Sequence, residues 1–173
     1  MNHDAYPDGY IAAILREVKS IAMVGASANE VRPSYFVLKY LHLRGYRMFP
    51  INPGLARKTI LDLPVHASLA ALPEPVDMVD IFRNSEAAAA VVDEVLALPV
   101  LPKVVWMQLT VRNDAAAAKA EAAGIRVVMN RCPKIEYGRL SGEIGWAGVN
   151  SRAISSKRPT RDTRGFQRLG LRE

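Results

Sequence analysis

Gly25, Ala26 and Ser27 close an apolar run, Ser20-Ile-Ala-Met-Val-Gly-Ala-Ser27, just ahead of a helical pattern that begins at Pro33. A strand that passes into a helix through such a Gly-x-Ser corner presents backbone N–H groups to an anion, which is how open α/β sheets hold phosphates. Gly25 permits close backbone approach, and the Ser27 hydroxyl can donate to a phosphate oxygen. The second cluster lies one strand later, at Asn52-Pro53. A nicotinamide dinucleotide site ends that strand in a carboxylate, about 20 residues past the glycines, which accepts the ribose hydroxyls. Asn52 offers none, so the pattern predicts a phosphate-bearing, adenine-containing ligand other than NAD.

Cations that suit phosphate oxygens stand close by in the sequence at Arg32, Arg57, Lys58 and Arg83, although each alone is more often a solvated surface charge. Phe82 and Trp106 can wall an adenine or a thin aliphatic arm, or can simply be core. Gln108 and Asn130 bring amide donors and acceptors, against the plainer reading of turn residues that bond their own backbone. Catalytic equipment is scarce. His3, His42 and His66 have no metal-ligand spacing, and Cys132 is the single cysteine. No Gly-x-x-x-x-Gly-Lys-Ser/Thr loop and no His-Glu-x-x-His helix occurs. The expectation is a protein without catalytic residues or a metal, which holds a ligand rather than converting it.

The elements that position these residues alternate. Apolar spacing predicts a helix over 9–19, a strand over 21–24, a helix from Pro33 to Gly45 and a strand over 47–51. Residues 54–75 are Pro-rich, with a short helical stretch at 68–72. A third strand over 78–82 leads through Arg83 and Asn84 to a helix over 86–98, with Ser85 as its expected cap. A fourth strand over 103–107, a helix capped by Asn113 or Asp114 and a fifth strand over 126–129 complete the series. Alternation at these intervals predicts an α/β, Rossmann-like, doubly wound and mainly parallel sheet of five or six strands with helices on both faces. The ligand is then expected beyond the carboxyl ends of the strands, where strand order reverses.

Composition bounds the rest. The chain of 173 residues carries a formal charge of +6, but residues 151–173 hold seven basic against two acidic side chains, which leaves +1 for residues 1–150. The division is therefore a domain over 1–150 and a basic, mobile tail over 151–173, read as solvated because no aromatic interleaving accompanies the charge; nucleic acid is not the expected partner. No charge-free apolar run approaches the roughly 18 residues of a membrane span, and no basic-then-apolar leader opens the chain. A cytoplasmic protein is expected, a single cysteine being compatible with a reducing compartment.

Seven segments together resemble the stand-alone CoA-binding proteins, whose domain is similar to that of the succinyl-CoA synthetase α subunit: V-G-A-S at Val24 to Ser27, R-P-S-Y at Arg32 to Tyr35, G-Y at Gly45 to Tyr46, P-I-N-P at Pro50 to Pro53, V-D-I-F-R at Val79 to Arg83, V-W-M-Q at Val105 to Gln108 and N-R-C-P-K-I-E at Asn130 to Glu136. The resemblance implies coenzyme A or an acyl-CoA as ligand. Its diphosphate would lie on Gly25, Ala26 and Ser27, and Arg32, Pro33 and Ser34 of the next segment would be among the ligand-binding residues. The Asn52-Pro53 corner and nearby Arg57 or Lys58 would lie along the adenosine 3′-phosphate half. Phe82, Arg83, Trp106, Gln108 and Asn130 would border the ligand, with Cys132 toward the pantetheine thiol. Three positions depart from the family pattern: Leu109-Thr110 follows Gln108 where Gly is common, Asp62 stands where Gly is usual, and Asn130 replaces an Asp. Synthetases with this domain use a phosphohistidine and an ATP-grasp partner, neither of which this chain has room for, so no ligase activity of its own is expected. The alternatives are a nucleotide sensor that binds NAD(H), or a subunit that lends its CoA site to a ligase-type partner; a homo-oligomer is compatible with either.

Overall fold

In the computed structural model, which describes residues 2–142, the chain divides into two units, one of residues 18–132 and one of residues 1–17 with 133 onward. The larger unit holds seven strands: β1 Ser20–Val24, β2 Arg47–Ile51, β3 Thr59–Ile60, β4 Leu63–Pro64, β5 Met78–Ile81, β6 Val104–Met107 and β7 Arg126–Val128. Its helices are α2 Pro33–Leu43, α3 Ser85–Leu96 and α4 Asp114–Ala122; the smaller unit contains α1 Asp8–Glu17 and α5 Pro133–Ser141.

Five strands pair in parallel in the order β2-β1-β5-β6-β7. The chain leaves β1 toward one edge, returns, and continues from β5 toward the other, so strand order reverses between β1 and β5. Register sets the height of that point: Val24 pairs with both Ile51 and Ile81, so β1, β2 and β5 finish level and hand over to their loops side by side. One face buries Ala22, Val79, Ile81, Val105, Met107 and Val127 with Val91, Val92 and Val95 of α3 and Ala116, Ala117 and Ala120 of α4. Each Val or Ile so enclosed contributes about 1.5–3 kcal/mol, and the alanines let the helices lie close. By the two-residue period of a strand, Met23, Asp80 and Trp106 share the opposite face, and all three are fully enclosed.

At the amino ends of the strands, Asp77 gathers the sheet. Its Oδ2 accepts from Lys19 N–H at 2.9 Å and Ser20 N–H at 3.2 Å, its Oδ1 meets Lys103 Nζ at 3.0 Å, and its carbonyl accepts from Lys103 and Val104. In the smaller unit, the Arg139 guanidinium of α5 bonds Asp8 of α1 at 2.7 Å and Glu136 at 2.7 Å.

Several expectations change at the level of elements. Residues 54–75 hold a two-stranded antiparallel ribbon, β3 with β4, and the stretch expected as helix is a single 3-10 turn, Leu69–Ala71. The cap of α3 is Asn84, whose Oδ1 accepts from Ala87 N–H at 2.8 Å; Ser85 is already inside the helix and its hydroxyl instead accepts from Arg112 N–H at 3.0 Å. The main sheet has five strands, and α5 is a helix that the sequence reading did not include. The basic tail over 151–173 lies outside the described residues.

Candidate functional site

A crevice of about 590 Å³ opens beyond the carboxyl ends of β1 and β5, within the span of about 300–1,000 Å³ usual for small-molecule sites. The β1 corner supplies Gly25, Ala26 and Ser27, the start of α2 supplies Arg32, Pro33 and Ser34, the end of β2 supplies Asn52, and the end of β5 supplies Phe82, Arg83 and Asn84. Nine of these were singled out from the sequence. Asn84 is the tenth, and its signal in the sequence is the side chain, a strong helix cap one step before Ser85.

Gly25 is fixed by two constraints. Its φ is +92°, and a Cβ there would stand 3.0 Å from the Phe82 carbonyl oxygen and 3.2 Å from its carbonyl carbon, so a larger residue would be strained and would push on the backbone at Phe82. The corner itself offers fewer amides than the sequence suggests. Gly25 N–H and Ala26 N–H both donate to the Ile51 carbonyl, at 3.0 and 3.2 Å, which corrects the expectation that the whole corner is open to an anion.

Beyond them the donors are open. Ser27 N–H has no acceptor among the described residues, and the Ser27 hydroxyl accepts from Asn29 N–H at 3.1 Å, which leaves its own proton to give. Asn29 Oδ1 accepts from Val31 N–H at 3.0 Å and its carbonyl from Arg32 N–H at 3.0 Å, so the loop turns directly into α2. Arg32 occupies the cap position of α2 without a side-chain cap bond, and Pro33 at the first helical position has no N–H. The first turn of α2 is therefore uncapped, whereas that of α3 is capped by Asn84. An anion completes such a turn, drawn by its N–H groups and the helix dipole. Ser34, 5 % exposed, lies in this turn. Arg32 and Arg83 are exposed on the crevice lip with no carboxylate partner among the described residues, and no acid lines the crevice.

Seven sequence-chosen residues lie elsewhere in the larger unit. Pro53 opens the 3-10 turn Pro53–Leu55, and exposed Arg57 and Lys58 follow it into the ribbon, Arg57 with φ +68°. Trp106 is fully buried and donates through Nε1 to the Arg131 carbonyl at 2.8 Å. Gln108 is buried and its Nε2 donates to both carboxylate oxygens of Asp80, at 3.0 and 3.1 Å. Asn130, φ +53°, accepts Thr110 N–H at 2.9 Å, and Cys132 is buried. Asn113 Nδ2 to the Ser85 carbonyl at 3.0 Å and Asn130 N–H to the Val111 carbonyl at 3.1 Å complete a seam that closes the ends of β6 and β7 with the protein's own bonds. This seam confines the crevice to the β1–β5 side. Burial holds the Asp80 carboxyl up to about 8, against the Gln108 bond, which favours the ionised form.

Among the described residues, no group of His, Cys, Asp and Glu is placed to hold a metal, and no helix is long and apolar enough to cross a membrane. Comparison with known proteins returns a match of residues 19–138 to the CoA binding domain family. An uncharacterized protein of Bacillus subtilis, YneT, is 32 % identical over 127 residues, which span 73 % of this chain and 91 % of that protein. Among solved structures, a Thermus thermophilus protein, cell-free ID.343, superposes with a TM-score of 0.72 at 37 % identity, covering 78 % of this chain and 98 % of the other. A hypothetical protein from Pyrococcus horikoshii OT3 superposes with a TM-score of 0.73 at 34 % identity, covering 79 % and 94 %.

Proposed function

Since this chain belongs to the CoA binding domain family, we propose that its β1–β5 crevice holds coenzyme A or an acyl-CoA and that the protein performs no chemistry of its own on it. The observation that carries this reading is the uncapped start of α2 beside an open Ser27 N–H, flanked by two unpaired guanidiniums and no carboxylate. In it the diphosphate takes the place of the missing cap, accepting from Ser27 and the Ser34 turn, with Arg32 and Arg83 neutralising its charge. The adenosine end runs toward the Pro53 turn, where Arg57 and Lys58 offer charge to a 3′-phosphate, and the pantetheine arm leaves past Phe82. The far end of the sheet supports a holding role: Trp106 Nε1, Gln108 Nε2 and Asn130 Oδ1 are each bonded to protein partners.

Calorimetric titration of the full chain with CoA, acetyl-CoA, dephospho-CoA and NAD(H) tests the reading. Heat with CoA, weakened in Arg32→Ala and Arg83→Ala, is expected. No heat with CoA, or tighter binding of NAD(H), overturns it. Incubation with acetyl-CoA and analysis of the thioester by mass spectrometry tests the absence of chemistry, which thioester loss above the protein-free rate would refute.

A further inference from the structure

Asn52 stands where a dinucleotide site keeps its ribose carboxylate, yet both ends of its amide are turned onto the protein. Its Nδ2 donates to the Ala26 carbonyl at 2.8 Å, and its Oδ1 accepts from Gly54 N–H at 2.9 Å. The second bond caps the turn Pro53–Leu55. The first seizes the carbonyl of the corner that leaves β1. In a trans peptide a carbonyl and the N–H that follows it point in opposite directions, and no cis bond occurs among the described residues. Holding Ala26 C=O toward Asn52 therefore turns Ser27 N–H away from Asn52. That N–H is the first in the corner that Ile51 does not consume.

We propose that Asn52 is a positioning residue: its side-chain amide fixes the Ala26–Ser27 peptide plane and so presents the Ser27 N–H to the anionic part of the ligand. Asp has the same shape without the donor. An ionised carboxylate at this position would set an oxygen against the Ala26 carbonyl oxygen, and the peptide loses its reason to keep that orientation. A protonated carboxyl has one O–H to give to Ala26 while its other oxygen still accepts from Gly54. Asn52→Asp is thereby a version of the device that acid switches back on, which neither Asn nor Ala at this position can imitate.

The binding arm of the test rests on the CoA reading; a spectroscopic arm does not. The ¹⁵N-labelled full chain, wild type, Asn52→Asp and Asn52→Ala, is followed by the Ser27 amide signal, by thermal unfolding and by CoA titration, between pH of about 3.5 and about 8, which brackets the ordinary aspartate value of about 3.9. Asn52→Asp is expected to displace the Ser27 signal and weaken CoA about tenfold at the upper pH, the worth of one hydrogen bond, with the ratio to wild type and the Ser27 signal both returning as pH falls. Asn52→Ala is expected to stay weak and displaced throughout. A structural role alone lowers the unfolding temperature without that acid recovery, and this outcome overturns the proposal, as does a Ser27 signal unmoved in Asn52→Asp. If wild type itself takes up no CoA, the ligand reading fails while the Ser27 signal still decides the role of Asn52. Should Asn52→Ala not fold, Asn52→Asp compared with itself across the pH range carries the test.

Discussion

Asp80 places a carboxyl in the middle of a parallel sheet, with the Gln108 amide as its partner on both oxygens. Burial disfavours the charge more than one amide offsets, so its folded pKa rises from 3.8 to about 8. The folded state then binds a proton that the unfolded chain has released, and stability falls as pH climbs from about 4 toward about 8. The slope is at most about 1.4 kcal/mol per pH unit. Asn in its place reproduces the neutral acid, so Asp80→Asn is expected to remove this slope while leaving stability near pH 4.5 within about 1 kcal/mol. Urea unfolding of both proteins at several pH values checks it; a difference between them that does not grow with pH sinks the account. Single residues were legible where their type alone decides the outcome, as with Gly25, where any side chain would be strained at φ +92° and crowded by Phe82. They were illegible where a partner distant in sequence decides: the carbonyl of Ile51, 25 residues past Ala26, is what consumes two of the corner's amides.

The ribbon shows the same division among elements. Leu61 and Asp62 form a two-residue connection between the paired Ile60 and Leu63, with φ of +53° and +62°. Positive φ at both central positions is the type I′ arrangement, which favours Asn-Gly and penalises a branched apolar side chain. Leu61→Asn with Asp62→Gly is expected to stabilise the chain by about 1 kcal/mol, or raise its melting temperature by about 2–4 °C. A calorimetric scan with no rise or a fall shows the turn to be otherwise strained. Thr110, at φ +69°, likewise holds a left-handed backbone of the kind that favours Gly, with its N–H held by Asn130. Strands and helices of the main sheet were legible from periodicity, because buried strands and amphipathic helices repeat over several turns. The ribbon strands are two residues each, too short to carry a period, and α5 is interrupted by Gly138, which blurs its apolar spacing.

At the scale of the whole molecule, net charge and useful charge part company. Most of the +6 belongs to residues 151–173, whereas the crevice is made attractive to an anion by Arg32, Arg83 and the first turn of α2, with no acid opposing them. The two sources differ in reach. Charges farther than about 8–10 Å from a ligand are screened at physiological salt, while guanidiniums that touch a bound diphosphate, as proposed for Arg32 and Arg83, act within that distance. CoA affinity is therefore expected to fall as salt rises, and the fall to be governed locally: Arg32→Ala and Arg83→Ala each weaken binding about tenfold and flatten the salt dependence, since each removes a charge-assisted contact worth about 1.5 kcal/mol or more. Neutralising as many arginines among residues 151–173, with Arg158→Gln and Arg161→Gln, changes the net charge equally and is expected to leave both affinity and slope nearly untouched. Titrations in salt from about 0.05 to about 0.5 M, a range over which the screening length shrinks severalfold, separate the two. Equal effects from crevice and tail substitutions would mean that the site senses the charge of the molecule as a whole, and that the two guanidiniums at its lip do not touch the ligand.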